Sequence, residues 1–221
     1  MFYQQFTGVV RHLIIINVLV FIGSYVILGA ESYPLMMEGD EKGLGRLYLA
    51  AFMPGSQFFE PFQLATHMFM HGSIMHLAFN MLSLYIFGPM VESVWGPRRF
   101  LLYYLICGVG SYALHLGVQW WELERAGINP ANWNSPMLGA SGAIFGVQVA
   151  FGCLFANQVI SLLFPPISMK AKYFVLIMVG LELYYGIGGY SPGIAHFAHL
   201  GGALIGFIMI MIWYRGRLPR Y

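Results

Sequence analysis

The sequence predicts an all-α polytopic membrane protein: a six-transmembrane-helix bundle forming one membrane-embedded domain over residues 1–221. Charged residues make up only 9% of the chain, where soluble domains carry about 25%. Five long stretches contain no Asp, Glu, Lys or Arg: Leu13 to Ala30, Pro61 to Val91, Phe100 to Trp121, Gly127 to Met169 and Ser191 to Tyr214. About 18 apolar residues suffice to cross the hydrocarbon core as a helix. The Lys and Arg residues gather at alternate ends of these stretches, as the positive-inside rule requires.

The first span covers about 10–30. It follows Arg11, as a signal peptide's apolar region would, but it is too long and no small-x-small cleavage site ends it, so it reads as a retained helix. The loop from Glu31 to Ala65 is the one long connection, with amphipathic pieces at Gly45 to Met53 and Phe58 to Leu64 expected on the membrane surface. The second span, 66–90, opens on a histidine-rich stretch, and the third covers 97–119. Gly127 to Pro136, rich in Asn, Pro and Gly, reads as a loop before the fourth span at 139–161, which Pro165 and Pro166 close. The fifth span, 171–188, joins the sixth, 193–214, through a turn of Gly188, Gly189, Ser191 and Pro192.

With the N-terminus inside, the inner segments hold Arg11, Arg98, Arg99, Lys170, Lys172, Arg215, Arg217 and Arg220, and the outer segments hold Lys42, Arg46 and Arg125. Eight against three places both termini in the cytoplasm. Trp120 and Trp121 fit the outer interface and Trp213 the inner one. The net charge of +2 and its scatter over span ends give no nucleic-acid footprint. Cys107 and Cys153 lie within apolar stretches and read as reduced packing residues.

Three polar signals interrupt the apolar spans: Gly139-Ala140-Ser141-Gly142 opening the fourth, Ala198-His199-Leu200-Gly201-Gly202 in the sixth, and Thr66 to Asn80 with His67, His71, His76 and Asn80 in the second. These three spans run in the same direction, so their early residues share one side of the membrane. Ser141 falls roughly 3 Å and His199 roughly 10 Å below the respective helix starts, so the two meet if the fourth helix begins below the surface. A serine hydroxyl in reach of an imidazole is the unit of an activated nucleophile. His76 and Asn80, at i and i+4, share a helix face and can donate to an oxyanion. The backbone N–H groups that open the fourth helix add donors. Gly139 and Gly142 leave room for a substrate backbone, and Phe145 lies one turn on, placed to pack on His199.

These residues resemble the rhomboid family of intramembrane serine proteases. The resemblance rests on the GxSG sequence at Gly139 to Gly142, the pattern of Ala198-His199 with Gly202 and Gly206, and the H-x4-H-x3-N pattern of His71, His76 and Asn80. It extends over roughly 60–210. It implies a Ser141–His199 dyad without a third acid, an oxyanion hole from His76, Asn80 and the Ser141 amide, and no metal or cofactor. It further implies substrates that are transmembrane helices of other proteins, cut near small residues, and a lateral gate made by the fifth helix and the Gly188–Pro192 turn. Two departures stand out. A Trp-Arg pair common before the second helix is Phe62-Gln63 here, so the resemblance does not supply the loop's internal anchor. The aromatic after the nucleophile is Phe145 rather than Tyr.

Simpler readings exist for each residue alone. Ser141 fits a helix N-cap. Gly142 with Gly146, and Gly202 with Gly206, are small-xxx-small pairs that allow close helix packing. His199 alone fits an interhelical hydrogen bond. His67 and His71 have metal-ligand spacing, but Met68 stands where a metalloprotease motif needs Glu. His67 then reads as an interfacial residue, His71 as a structural hydrogen-bonder, and His115 and His196 carry no assigned role. Glu182 is the one acid deep in a span, about 15 Å in, and is expected to be protonated or hydrogen-bonded. The competing functions are a catalytically silent relative that binds membrane clients, which would usually lack the Ser or the His, and a small transporter, which predicts repeats and charged pathways not found here. The compact six-helix plan fits a bacterial inner membrane, with the site opening outward.

Overall fold

The computed structural model describes residues 8–24, 44–161, 166–188 and 195–217. Among them are eight α-helices, two 3₁₀ turns and one two-stranded hairpin: α1 (Val9–Ile22), α2 (Leu44–Leu49), α3 (Gln63–Thr66), α4 (Ile74–Trp95), α5 (Pro97–Arg125), α6 (Ser141–Leu154), β1 (Val159–Ser161), β2 (Ser168–Lys170), α7 (Ala171–Gly188) and α8 (His196–Trp213). The molecule is mainly helical, as expected. Four helices, α4, α5, α7 and α8, are long and apolar enough to cross a membrane, while α1 and α6 are shorter apolar helices.

Several span boundaries move. The second span begins at Ile74 rather than 66, because Met70 is extended and Ser73 caps a new helix, its Oγ accepting from the His76 N–H at 3.1 Å. Residues 63–69 instead form α3 and a 3₁₀ turn. The third runs on to Arg125, with Leu123 buried in its last turns. The fourth ends at Leu154 rather than 161, and Val159 pairs with Lys170 where the chain reverses as a hairpin. The Pro165 stop, the Glu31 to Asp40 part of the long loop and most of the Gly188–Pro192 turn lie outside the described residues. The fifth matches its expected range, and the sixth starts at His196.

The centre of the bundle is α6, where every residue from Gly142 to Gly152 is buried. At 14 residues it is about 21 Å long, short of the roughly 30 Å of a hydrocarbon core. Met137 and Ala140, just before it, are themselves buried. Irregular backbone at depth is tolerated only when enclosed by protein in this way. Glycines bring α6 and α8 together: a Cβ on Gly202 would run into the Gly142 carbonyl, and one on Gly206 would lie 3.0 Å from Gly146 Cα. Tyr103 on α5 donates to the Gly146 carbonyl at 2.7 Å, adding the third wall.

The described part of the first loop, from residue 44 on, packs part of its chain into the protein. Ala50, Ala51, Phe52 and Met53 are buried, and Ala51 and Met137 exchange two backbone hydrogen bonds of 2.8 Å. Gln63 is the anchor that the sequence left open. Its amide donates to the carbonyls of Leu47 at 3.0 Å and Phe58 at 2.9 Å, and its oxygen accepts from the Glu60 N–H at 3.1 Å. At the other end of the molecule Glu92 of α4 caps α1, accepting from the N–H groups of Val9 at 2.8 Å and Val10 at 3.0 Å. Cys107 and Cys153 are both free thiols.

Candidate active site

Ser141 is the first residue of α6, not its cap; Ala140 holds the N-cap position without a side-chain bond. The hydroxyl is therefore not spent on its own helix. It sits 2.7 Å from Nε2 of His199, in the first turn of α8. The Gly202–Gly142 contact three residues further along α8 sets this distance, since it lets the two backbones approach before the side chains meet. Phe145 stacks on the His199 ring at 4.6 Å between centroids and 8° between planes, which fixes the imidazole's tilt.

Both residues line a cavity of about 980 Å³ that also takes in His76, Asn80, His115 and Gln148. Asn80 is 6% exposed and its Nδ2 has no hydrogen-bond partner, which leaves a buried donor available to an incoming acceptor. Gly139 has φ +119°, and a Cβ there would lie 2.8 Å from Cε1 and Nε2 of His76. Glycine is needed at this position on both counts. The Gly139 N–H is held by the His67 carbonyl at 2.9 Å, so the helix-opening N–H groups from Ser141 onward are the backbone donors left at the cavity.

Two supporting histidines differ from expectation. His67 is wholly buried rather than interfacial, its Nδ1 2.9 Å from the Gln63 carbonyl and its ring 5.6 Å from that of Tyr112. His71 is also wholly buried, with no ring-nitrogen hydrogen bond of good geometry beyond a weak interaction with the Phe69 backbone; its ring meets His76 edge-on at 5.1 Å. Burial, with the neighbouring His76 as a second cause, pushes the His71 imidazole down to about 3, and burial lowers His67 as well. A third difference is His115, which faces the cavity although no role is expected of it from the sequence.

Glu182, expected from its depth to be protonated or hydrogen-bonded but without an assigned partner, belongs to a cluster. Glu182 of α7 places Oε2 2.6 Å from His196 Nδ1 and 3.0 Å from His199 Nδ1. The first contact is a hydrogen bond; the second is a close approach outside good hydrogen-bond geometry, and His199 Nδ1 has no better partner. Donor atoms of Glu182, His196 and His199 lie within 4.8 Å of one another, so among the described residues this is the group that could hold a metal by donor type, rather than the His67–His71 pair. The signal available in the sequence was Glu182 itself, an acid inside a span.

A model of the rhomboid domain matches residues 59–216, more than half of the chain. Rhomboid protease AarA of Providencia stuartii is 30% identical over 146 residues, covering 64% of this chain and 52% of the relative. Rhomboid-like protein 11, chloroplastic, of Arabidopsis thaliana is 31% identical over 191 residues, with 80% and 59% covered. Rhomboid protease GluP of Bacillus subtilis is 34% identical over 152 residues, with 67% and 25% covered. The chain thus spans about half the length of the first of these relatives. The domain match takes in α4 to α8 and every residue at the cavity, and together with four helices able to cross a bilayer it makes the chain an integral membrane protein of the rhomboid family.

Proposed function

We propose that the protein is an intramembrane serine endopeptidase that cuts transmembrane segments of other membrane proteins. The observation that carries this reading is the 2.7 Å contact between Ser141 Oγ and His199 Nε2 in a cavity that also holds His76, Asn80 and Gln148 and is ringed by apolar helices. A serine–imidazole pair inside a span has an energetic cost that packing alone does not explain.

In this mechanism His199 takes the hydroxyl proton as Ser141 Oγ attacks the scissile carbonyl. The oxyanion receives hydrogen bonds from His76, Asn80 and the Ser141 N–H. His199 then passes its proton to the leaving amine, and water resolves the acyl-enzyme by the same steps in reverse. The substrate is a transmembrane helix that unwinds near small residues, and no cofactor takes part. All six apolar helices serve as spans, α1 and α6 included, with both termini cytoplasmic and the cavity opening outward, in a bacterial inner membrane.

The test is cleavage of a co-reconstituted single-helix substrate by the unaltered protein and by Ser141→Ala. Cleavage should fall by about 10⁴-fold or more in the variant. Equal cleavage by both would remove Ser141 as nucleophile. If neither cleaves, a fluorophosphonate label separates an unsuitable substrate, where Ser141 is still labelled, from a silent relative, where it is not.

A further inference from the structure

The position of Glu182 exceeds what a dyad requires. It lies on the bundle-facing stripe of α7, in line with Val175, Val179 and Gly186, and its side chain is 14% exposed. The face of α7 away from the bundle, with Leu176, Leu183 and Ile187, is apolar and exposed. An acid on the inner stripe of a span is costly unless it has partners. Its partners are the two histidines of the first turn of α8.

We propose that Glu182 is the positioning carboxylate of His199, so that the site works as a Ser141–His199–Glu182 array. The inference rests on the reading of Ser141 and His199 as the reacting pair. His199 must present a lone pair at Nε2 to accept the Ser141 proton, which requires the hydrogen of the neutral ring to sit on Nδ1. That N–H is buried, and Glu182 Oε2 at 3.0 Å is the acceptor in reach. A modest turn of ring or carboxylate aligns the contact. The carboxylate thereby selects the productive tautomer, and it stabilises the imidazolium once the proton has moved. His196 holds the same oxygen at 2.6 Å and thereby keeps the carboxylate at this depth. Phe145 fixes the plane of the ring and Glu182 its rotation within that plane. Glu182 touches neither substrate nor the reacting atoms, so its effect passes through His199.

The test measures the rate of fluorophosphonate labelling at Ser141, and kcat and KM on a co-reconstituted substrate, in the full-length protein. Glu182→Gln should be labelled about 10- to 100-fold more slowly, with kcat falling in proportion and KM within about twofold. That is less than the roughly 10⁴-fold loss for a fully committed triad acid, because the contact is bent. His196→Phe keeps a ring against Tyr185 and leaves the carboxylate to His199. The Glu182→Gln loss should exceed the His196→Phe loss by at least about tenfold. Equal losses would mean that Glu182 merely pins α7 to α8, and unchanged labelling in Glu182→Gln would remove it from the mechanism; either overturns the proposal. An unaltered protein whose labelling drops in EDTA would assign the carboxylate to a metal held with His196 and His199, which also overturns it. If the unaltered protein is not labelled at all, the reading of Ser141 fails and this one with it. A second measurement needs no change at Glu182: ¹⁵N NMR of the histidine rings, with His199 assigned by His199→Gln. The Nδ1–H tautomer is expected at neutral pH, and the Nε2–H tautomer would sink the idea.

Discussion

Asn80 shows how a single side chain at this site differs from a packing residue. Its Nδ2 is buried and unpaired, a condition that costs about 1–3 kcal/mol in a protein interior. Such a cost persists where an acceptor arrives later. If that acceptor is the oxyanion, Asn80→Ala should lower kcat by about 10²- to 10³-fold while KM stays nearly constant, because the bond forms only in the transition state. Thermal stability should hold or rise slightly, since an unpaired polar group is removed. A fall in stability with kcat unchanged would make Asn80 a structural residue. The sequence made Asn80, His76, Ser141 and His199 legible because each belongs to a short motif at fixed helical spacing. Glu182 was legible only as an anomaly. Its depth follows from rise per residue, but its partner depends on how α7 is rotated against α8, and no local spacing encodes that rotation.

Between elements, backbone contacts set the geometry of the site. Gly202 admits the Gly142 carbonyl, so Gly202→Ala must push α8 away from α6 or deform both. Overpacking of this kind costs about 1–3 kcal/mol. The Ser141–His199 contact should lengthen with it, so slower fluorophosphonate labelling and a lower Tm are expected together. Gly117 of α5 is the contrast: a Cβ there meets nothing within 4 Å, so Gly117→Ala should leave both readouts level or raise Tm slightly. The first loop makes a second case. Gln63→Ala leaves the Leu47 and Phe58 carbonyls and the Glu60 N–H without their partner, and loosens the Ala51–Met137 pairing that leads to Ser141. At about 1–3 kcal/mol for each such group that stays dry, Tm should drop by several degrees in a thermal scan. An unchanged Tm would mean the loop is anchored elsewhere. The boundary shifts belong to this scale too. Hydropathy finds apolar length, but Met70 in extended conformation and the α6 stop at Leu154 come from capping and hairpin geometry that hydropathy does not register.

At the scale of the whole molecule, apolar side chains crowd the outside as well as the core while several polar groups are buried, an inversion of the surface of a soluble protein. Leu19, Phe79, Leu82, Leu176 and Ile212 are all more than half exposed, on four different helices, while His67, His71 and Gln63 are wholly buried. This inversion has a consequence for pH. His67 and His71 lie before Ile74, outside the spanning helices, where the first loop docks on the bundle. The unfolded chain binds a proton at each near 6.5, whereas the folded His71 does so only near 3 and the folded His67 also below its ordinary range. Below pH 6.5 the unfolded state therefore holds more protons than the folded one, and stability must decline as pH falls. The decline from His71 continues down to about pH 3 and then levels off. Its slope approaches about 1.4 kcal/mol per pH unit for each such histidine. Tm measured between pH 7 and 4 should therefore fall steadily, and His71→Phe, which keeps an aromatic ring beside His76, should flatten the slope without abolishing it, because His67 remains. An identical slope in His71→Phe would show that its ring already takes up a proton in the folded state.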